Sequence, residues 1–178
     1  MTAPADRAAE RPESVHADGE RLRGLLQHVA TPIVVVSCET AGGPLGATIG
    51  SFGSVSLTPP TIAVHVTHGT RLHAALAEAE TFVVQILSAG QADVAERFAI
   101  PDLDGRAQFA PFDAAEGDGT GPLLAGTLGA LVCRRAAAFD VADHALVIGA
   151  VERIEAGATD QGPLLYMRQS YRGVGERV

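Results

Sequence analysis

The sequence predicts a mainly β protein, an antiparallel barrel with peripheral helices. Three observations carry that expectation. Short β-branched runs recur along the chain, most connections between them are too short for parallel crossovers, and only three short helical patterns interrupt them. No GxGxxG follows a strand and no Walker sequence is present, so Rossmann and P-loop readings have no support.

The elements follow in order. A polar, acidic stretch over residues 1–17 lacks the basic and apolar regions of a signal peptide and is expected to be a disordered leader to a single domain over 18–178. Asp18 can cap a helix through Val29, with Leu22, Leu25, Leu26 and Val29 on one face at helical spacing. Thr31 to Ser37 is a β-branched strand. Ala41 to Pro44 turns the chain, and a hairpin partner returns through Leu45 to Ser51. Phe52 to Ser56 continues extended until Pro59-Pro60 interrupts it. Thr61 to Val66 is a strand, and His68-Gly69 turns. Thr70 caps a helix through Ala79, with Leu72 and Leu76 inward. Thr81 to Leu87 is a strand, and Ser88 is expected to cap a helix through Phe98. Ile100 to Thr120 reads as a long surface loop. Strands then follow at Leu128 to Ala137, His144 to Ile154 and Leu164 to Met167.

Composition bounds the function. The chain has 178 residues, 47% hydrophobic and 19% charged, with a net charge of -8. That balance is globular and lacks the clustered cations that nucleic acid or an anionic membrane would require. Its apolar runs are too short to cross a bilayer. Cys38 and Cys133 are far apart and in strands, which suits two buried thiols in a cytoplasmic protein. Gly50-Ser-Phe-Gly53 fails the Gly-x-Ser-x-Gly elbow, and the six histidines lack HExxH or similar spacing, so no metal site is expected.

Three segments could carry chemistry. Gly46 to Ser56 packs three glycines and four hydroxyl residues into eleven positions. Such a backbone can approach a ligand closely and hold a phosphate on N–H and hydroxyl groups. A β-bulge or a kinked barrel strand would show the same composition. His65 to Arg71 ends a strand and opens a helix, where a helix N-terminus with Thr70 and Arg71 could hold an anion. An ordinary cap with a solvated arginine is the alternative. Asp143-His144 could orient a cofactor or supply a proton near neutral pH, or lie idle on the surface.

The ordered set of these motifs resembles the flavin reductase-like family, the short-chain NAD(P)H:flavin oxidoreductases of two-component monooxygenases. The resemblance spans about Leu22 to Arg172. Its pieces are Ala30-Thr-Pro-Ile-Val-Val-Val-Ser37, the run from Gly46 to Pro60, Ala95-Glu-Arg-Phe-Ala99, Gly121-Pro-Leu-Leu124, Asp143 to Gly149, and Pro163-Leu-Leu-Tyr166 with Tyr171-Arg172.

The resemblance implies an FMN-binding split barrel acting as a homodimer, with flavin near the subunit interface. By it, Gly46, Ala47, Thr48, Ser51, Phe52 and Ser54 contact flavin, and Thr31 and Pro32 approach the ring. His68, Thr70 and Arg71 lie near the phosphate, and His144 lies on the nicotinamide side. The implied reaction is hydride transfer from NADH or NADPH to FMN or FAD, in the cytoplasm, for a partner monooxygenase. Two other readings share the fold: a flavin-binding protein without turnover, and an enzyme with tightly held FMN and its own organic substrate.

Overall fold

The β-branched run after Pro32 sets the frame. The computed structural model describes residues 17–117, 119–157 and 160–175. In it, Val34–Thr40 (β2) is a strand whose first five residues are buried. Burial on both faces explains the unbroken apolar run. Val34, Val36 and Cys38 face the main core, and Val35 faces a second cluster with Leu87, Phe98 and Leu164. Ahead of β2 lie a helix, Gly19–Leu26 (α1), and a two-residue strand, Thr31–Pro32 (β1). Behind it come Gly43–Ile49 (β3), Phe52–Leu57 (β4), Pro60–Thr67 (β5), Arg71–Glu78 (α2), Thr81–Ile86 (β6) and Ala92–Phe98 (α3). The remainder holds Gly105–Phe109 (α4), Ala114–Ala115 (β7), Leu123–Leu124 (β8), Gly129–Val141 (β9), His144–Ala156 (β10), Leu165–Met167 (β11) and Ser170–Arg172 (β12).

Seven strands form one antiparallel sheet in the order β3-β2-β6-β9-β10-β5-β4. β3 and β4 are consecutive in the chain, with only Gly50 and Ser51 between them, yet they occupy the two opposite edges. The sheet must therefore curl until its edges approach, which makes a barrel left open along one seam. The chain crosses that seam at Ser51, whose C=O accepts from the His65 N–H at 3.1 Å. α2 plugs the barrel, with Leu72 and Leu76 buried in the main core. Thr70 caps it as the sequence predicts, its Oγ1 accepting from the His73 N–H at 3.2 Å. α3 instead packs outside the barrel in the second cluster, through Val94, Ala95 and Phe98.

Four expectations need correction. α1 ends at Leu26, and its apolar face is not buried: Leu22, Leu25, Leu26 and Val29 are each more than half exposed, at 56%, 68%, 53% and 51%. Spacing identified the face correctly, but among the described residues no element buries it. Ser88 does not cap α3. The helix begins at Ala92 after Gln91, and Ser88 bridges to Pro163 while donating its N–H to Gln91 Oε1 at 3.1 Å.

The Ile100 to Thr120 segment is not a bare loop, since it contains α4 and β7. A fully buried Gln85 tethers its far end to the sheet. Its Oε1 accepts from the Leu124 N–H at 2.6 Å, and its Nε2 donates to Ser37 Oγ and the Pro122 C=O, both at 3.2 Å. Pro60 is not excluded from strand structure, for β5 begins on it. As the first residue of a strand it forgoes no ladder bond. The expected leader lies outside the described residues, apart from Ala17. Among the described residues no helix is long and apolar enough to cross a membrane.

Candidate active site

The seam encloses a cavity of about 560 Å³. One wall is β3 from Leu45 to Ile49, continued by Gly50 and Ser51. The opposite wall is the end of β5 (His65 to Thr67) with Gly69, Thr70 and Arg71 at the start of α2. Phe98 to Asp102 and Gln108 close one side, and His144 stands on the rim. A second space of about 600 Å³ shares only Leu45 and Arg71 with the first. It presents the carboxylates of Glu39, Glu78 and Asp104. With one carboxylate, Asp102, against three, the first cavity suits an anionic ligand better than the second.

β3 is an edge strand, so half its backbone groups face the seam. Gln108 satisfies one pair of them. The Gly46 N–H donates to Gln108 Oε1 at 3.1 Å, and Gln108 Nε2 donates back to the Gly46 C=O at 3.0 Å. By the two-residue repeat of a strand, Thr48 directs its own N–H and C=O to the same side, into the cavity. Its side chain is otherwise engaged, donating from Oγ1 to the Ala95 C=O at 2.7 Å. Thr48 thus offers backbone, not hydroxyl, to a ligand.

The glycines divide by role. A Cβ on Gly46 would stand 2.9 Å from the Phe98 ring, so glycine is needed there for helix packing, not for ligand approach. A Cβ on Gly50 would lie 3.2 Å from Thr31 Oγ1. Gly53 has open space around it. β4 also carries a register shift between Ser54 and Ser56, so part of the glycine- and serine-rich composition belongs to a bulge.

At the rim, Asp143, His144 and Thr67 form a chain. Asp143 Oδ1 lies 2.7 Å from His144 Nδ1, and Thr67 Oγ1 lies 3.1 Å from His144 Nε2. The carboxylate accepts from Nδ1–H, so Nε2 of the neutral ring accepts the Thr67 hydroxyl proton. The hydrogen bond from His144 holds the Asp143 carboxyl below its ordinary value, aided by the local backbone. Arg71 donates from Nη1 to the Leu103 C=O, which fixes the cation beside Thr70 at the helix N-terminus.

The structure brings Gly46, Ala47, Thr48, Ser51, Thr70, Arg71 and His144 together around the cavity. The other expected residues do not line it. Thr31 and Pro32 stand behind Gly50 in β1, paired with Tyr166 and Leu165. Phe52 packs against the main core, and Ser54 is exposed on β4. The His68 ring bonds to Asp140, its Nε2 lying 3.1 Å from Oδ1. Sequence reasoning missed Gln108, Thr67 and the positioning part of Asp143. Gln108 lies in a segment without periodicity, and only the three-dimensional course of α4 brings it to β3.

Comparison with known proteins places the chain in a family. Residues 26–175 match the family model described as the flavin reductase like domain. The chain is 38% identical over 144 residues to FMN reductase (NADH) SmoA of Agrobacterium fabrum, covering 81% of this chain and 79% of that protein. It is 32% identical over 162 residues to HsaB of Mycobacterium tuberculosis, the reductase subunit of a flavin-dependent monooxygenase, covering 90% and 85%. The solved structure of the NADH:FAD oxidoreductase SgcE6 of Streptomyces globisporus, in complex with NAD and FAD fragments, superposes with a TM-score of 0.82 at 28% identity, covering 91% of this chain and 98% of that one. On the strength of the match over residues 26–175, the chain belongs to the flavin reductase-like domain family.

Proposed function

We propose that the protein is an NADH-dependent flavin reductase that reduces FMN or FAD and supplies it to a partner monooxygenase. The seam cavity carries this reading, because it joins an open strand edge, an anion-suited helix start and a histidine on one rim. Its volume is in the range that holds a cofactor, roughly 300–1,000 Å³. FMN fits the donor set: Thr70, Arg71 and the N-terminus of α2 would hold its phosphate, and the Thr48 backbone would offer one donor and one acceptor to the rest of the group.

Bound flavin supplies the hydride-accepting chemistry. The chain's part is to bind, orient and control access. Gln108 keeps the β3 edge straight, and α3 with Phe98 covers one side. Asp143 and Thr67 hold the His144 ring in one orientation at the rim, where it meets the nicotinamide. No side chain is required as an indispensable acid or base.

The protein works as a homodimer in the cytoplasm. Exposed Phe139 and Val141 on β9, Leu57 on β4 and the leucine face of α1 support the dimer. Two buried, unpaired thiols suit a reducing compartment. FMN titration followed by fluorescence quenching tests the site. Arg71→Ala is expected to weaken FMN about tenfold or more, the scale of a lost charge-assisted hydrogen bond, while Glu78→Ala in the neighbouring space leaves affinity unchanged. Equal affinity of Arg71→Ala and wild type would remove the phosphate from this helix start.

A further inference from the structure

Three ligand-bearing side chains meet just outside the cavity. His68 opens the turn between β5 and α2, and its backbone N–H donates to the Asp143 C=O at 2.9 Å. His73 lies in the first turn of α2, and Asp140 lies near the end of β9. One ligand atom from each falls within 4.8 Å of the other two. The closest pair is His68 Nε2 and Asp140 Oδ1 at 3.1 Å, and the two imidazole rings stand 4.9 Å apart at 57°. Among the described residues no hydrogen bond reaches the His73 ring, which leaves its nitrogens free beside a second imidazole and a carboxylate.

An ordinary His68–Asp140 ion pair accounts for two of these groups. It does not account for His73. Two nitrogens and one carboxylate oxygen, with an open fourth position to solvent, form a donor set that suits zinc and neighbouring first-row ions and not magnesium or calcium. A tetrahedral zinc ion with bonds near 2.1 Å needs ligand atoms about 3.4 Å apart. His68 and Asp140 already meet that spacing, and a side-chain rotation of His73 supplies the remainder.

We propose that His68, His73 and Asp140 bind a divalent transition-metal ion, with water completing the coordination. The ion ties the turn that carries Thr70 and Arg71 to the hairpin that carries His144, joining two sides of the cavity rim. The site does not depend on the flavin reading.

The test is calorimetric titration of Zn²⁺ into the full, untagged chain after chelator treatment and removal of the chelator. One ion per chain is expected. Affinity is expected to fall at least about tenfold in His68→Gln and in His73→Gln, since even second-shell losses cost that much, and to stay unchanged in His28→Gln. The backbone cap at His73 survives the substitution, and melting of the metal-free variants checks that they are folded. Co²⁺ substitution should give the visible bands of a four-coordinate site. Absence of one-to-one binding, or binding that survives His73→Gln, overturns the proposal.

Discussion

His144 holds two partners at once, and that sets its expected behaviour. With Nδ1 bonded to Asp143 and Nε2 to Thr67, the ring is oriented without being buried. His144→Ala should lower the rate of flavin reduction or the affinity for NADH in stopped-flow measurements and leave flavin binding in place. An unchanged rate and affinity would remove it from the site. The same bond acts on Asp143, whose folded-state value lies below the ordinary 3.8. A depressed carboxylate contributes its stability above the unfolded value and loses it as pH falls through the folded one. Side-chain NMR titration should therefore find Asp143 titrating below an unperturbed aspartate, and His144→Ala should move it back up.

Cys38 and Cys133 stand apart from this chemistry. Burial, with Glu39 adding a smaller push, raises Cys38 to about 11, and burial with Glu152 raises Cys133 to about 12. Both thiols stay protonated near neutrality and should react with a thiol reagent only after denaturation.

At the level of elements, the edge strand β3 is the part most finely built. Phe98 fills the space over Gly46, and that ring is itself held by Phe109 at 4.8 Å and stacked near Phe112 at 6.3 Å. Those two aromatic neighbours resist displacement of the ring, so Gly46→Ala should destabilise by about 1–3 kcal/mol in thermal or denaturant unfolding. The loss should shrink when Phe98 is replaced by Leu. Strands, turns and the α2 cap were legible in the sequence, because β-branched runs, Gly-rich turns and Thr70 act locally. The α4 segment was not, because its five residues show no periodicity and are held by a remote contact, Gln108 on the Gly46 backbone of β3. The α1 face is the opposite case: local spacing predicts the apolar stripe, and the stripe stays exposed because burial depends on what packs against it.

For the whole molecule, the topology explains where the site lies. Consecutive strands at opposite sheet edges force a seam, and the seam exposes an edge whose backbone a ligand can use. The family resemblance marks Gly46 to Ser56 as the site region, and the cavity divides that run. Gly46, Thr48 and Ser51 line it, whereas Phe52 serves the core and Ser54 faces out. Composition alone cannot separate those roles, since they depend on which way alternate residues of a curled strand point. Exposed Phe139, Val141 and Leu57 add a prediction at this scale. Sedimentation should give twice the 18.3 kDa chain mass, and Phe139→Asp should shift the protein towards monomer.

The central claim is that this cavity turns over free flavin with NADH. Its most direct test is the loss of NADH absorbance with purified protein, with and without added FMN. Rapid NADH oxidation that requires added FMN and rises with its concentration is the expected result. FMN binding without any NADH oxidation would contradict the account, leaving a flavin-binding barrel that is not a reductase.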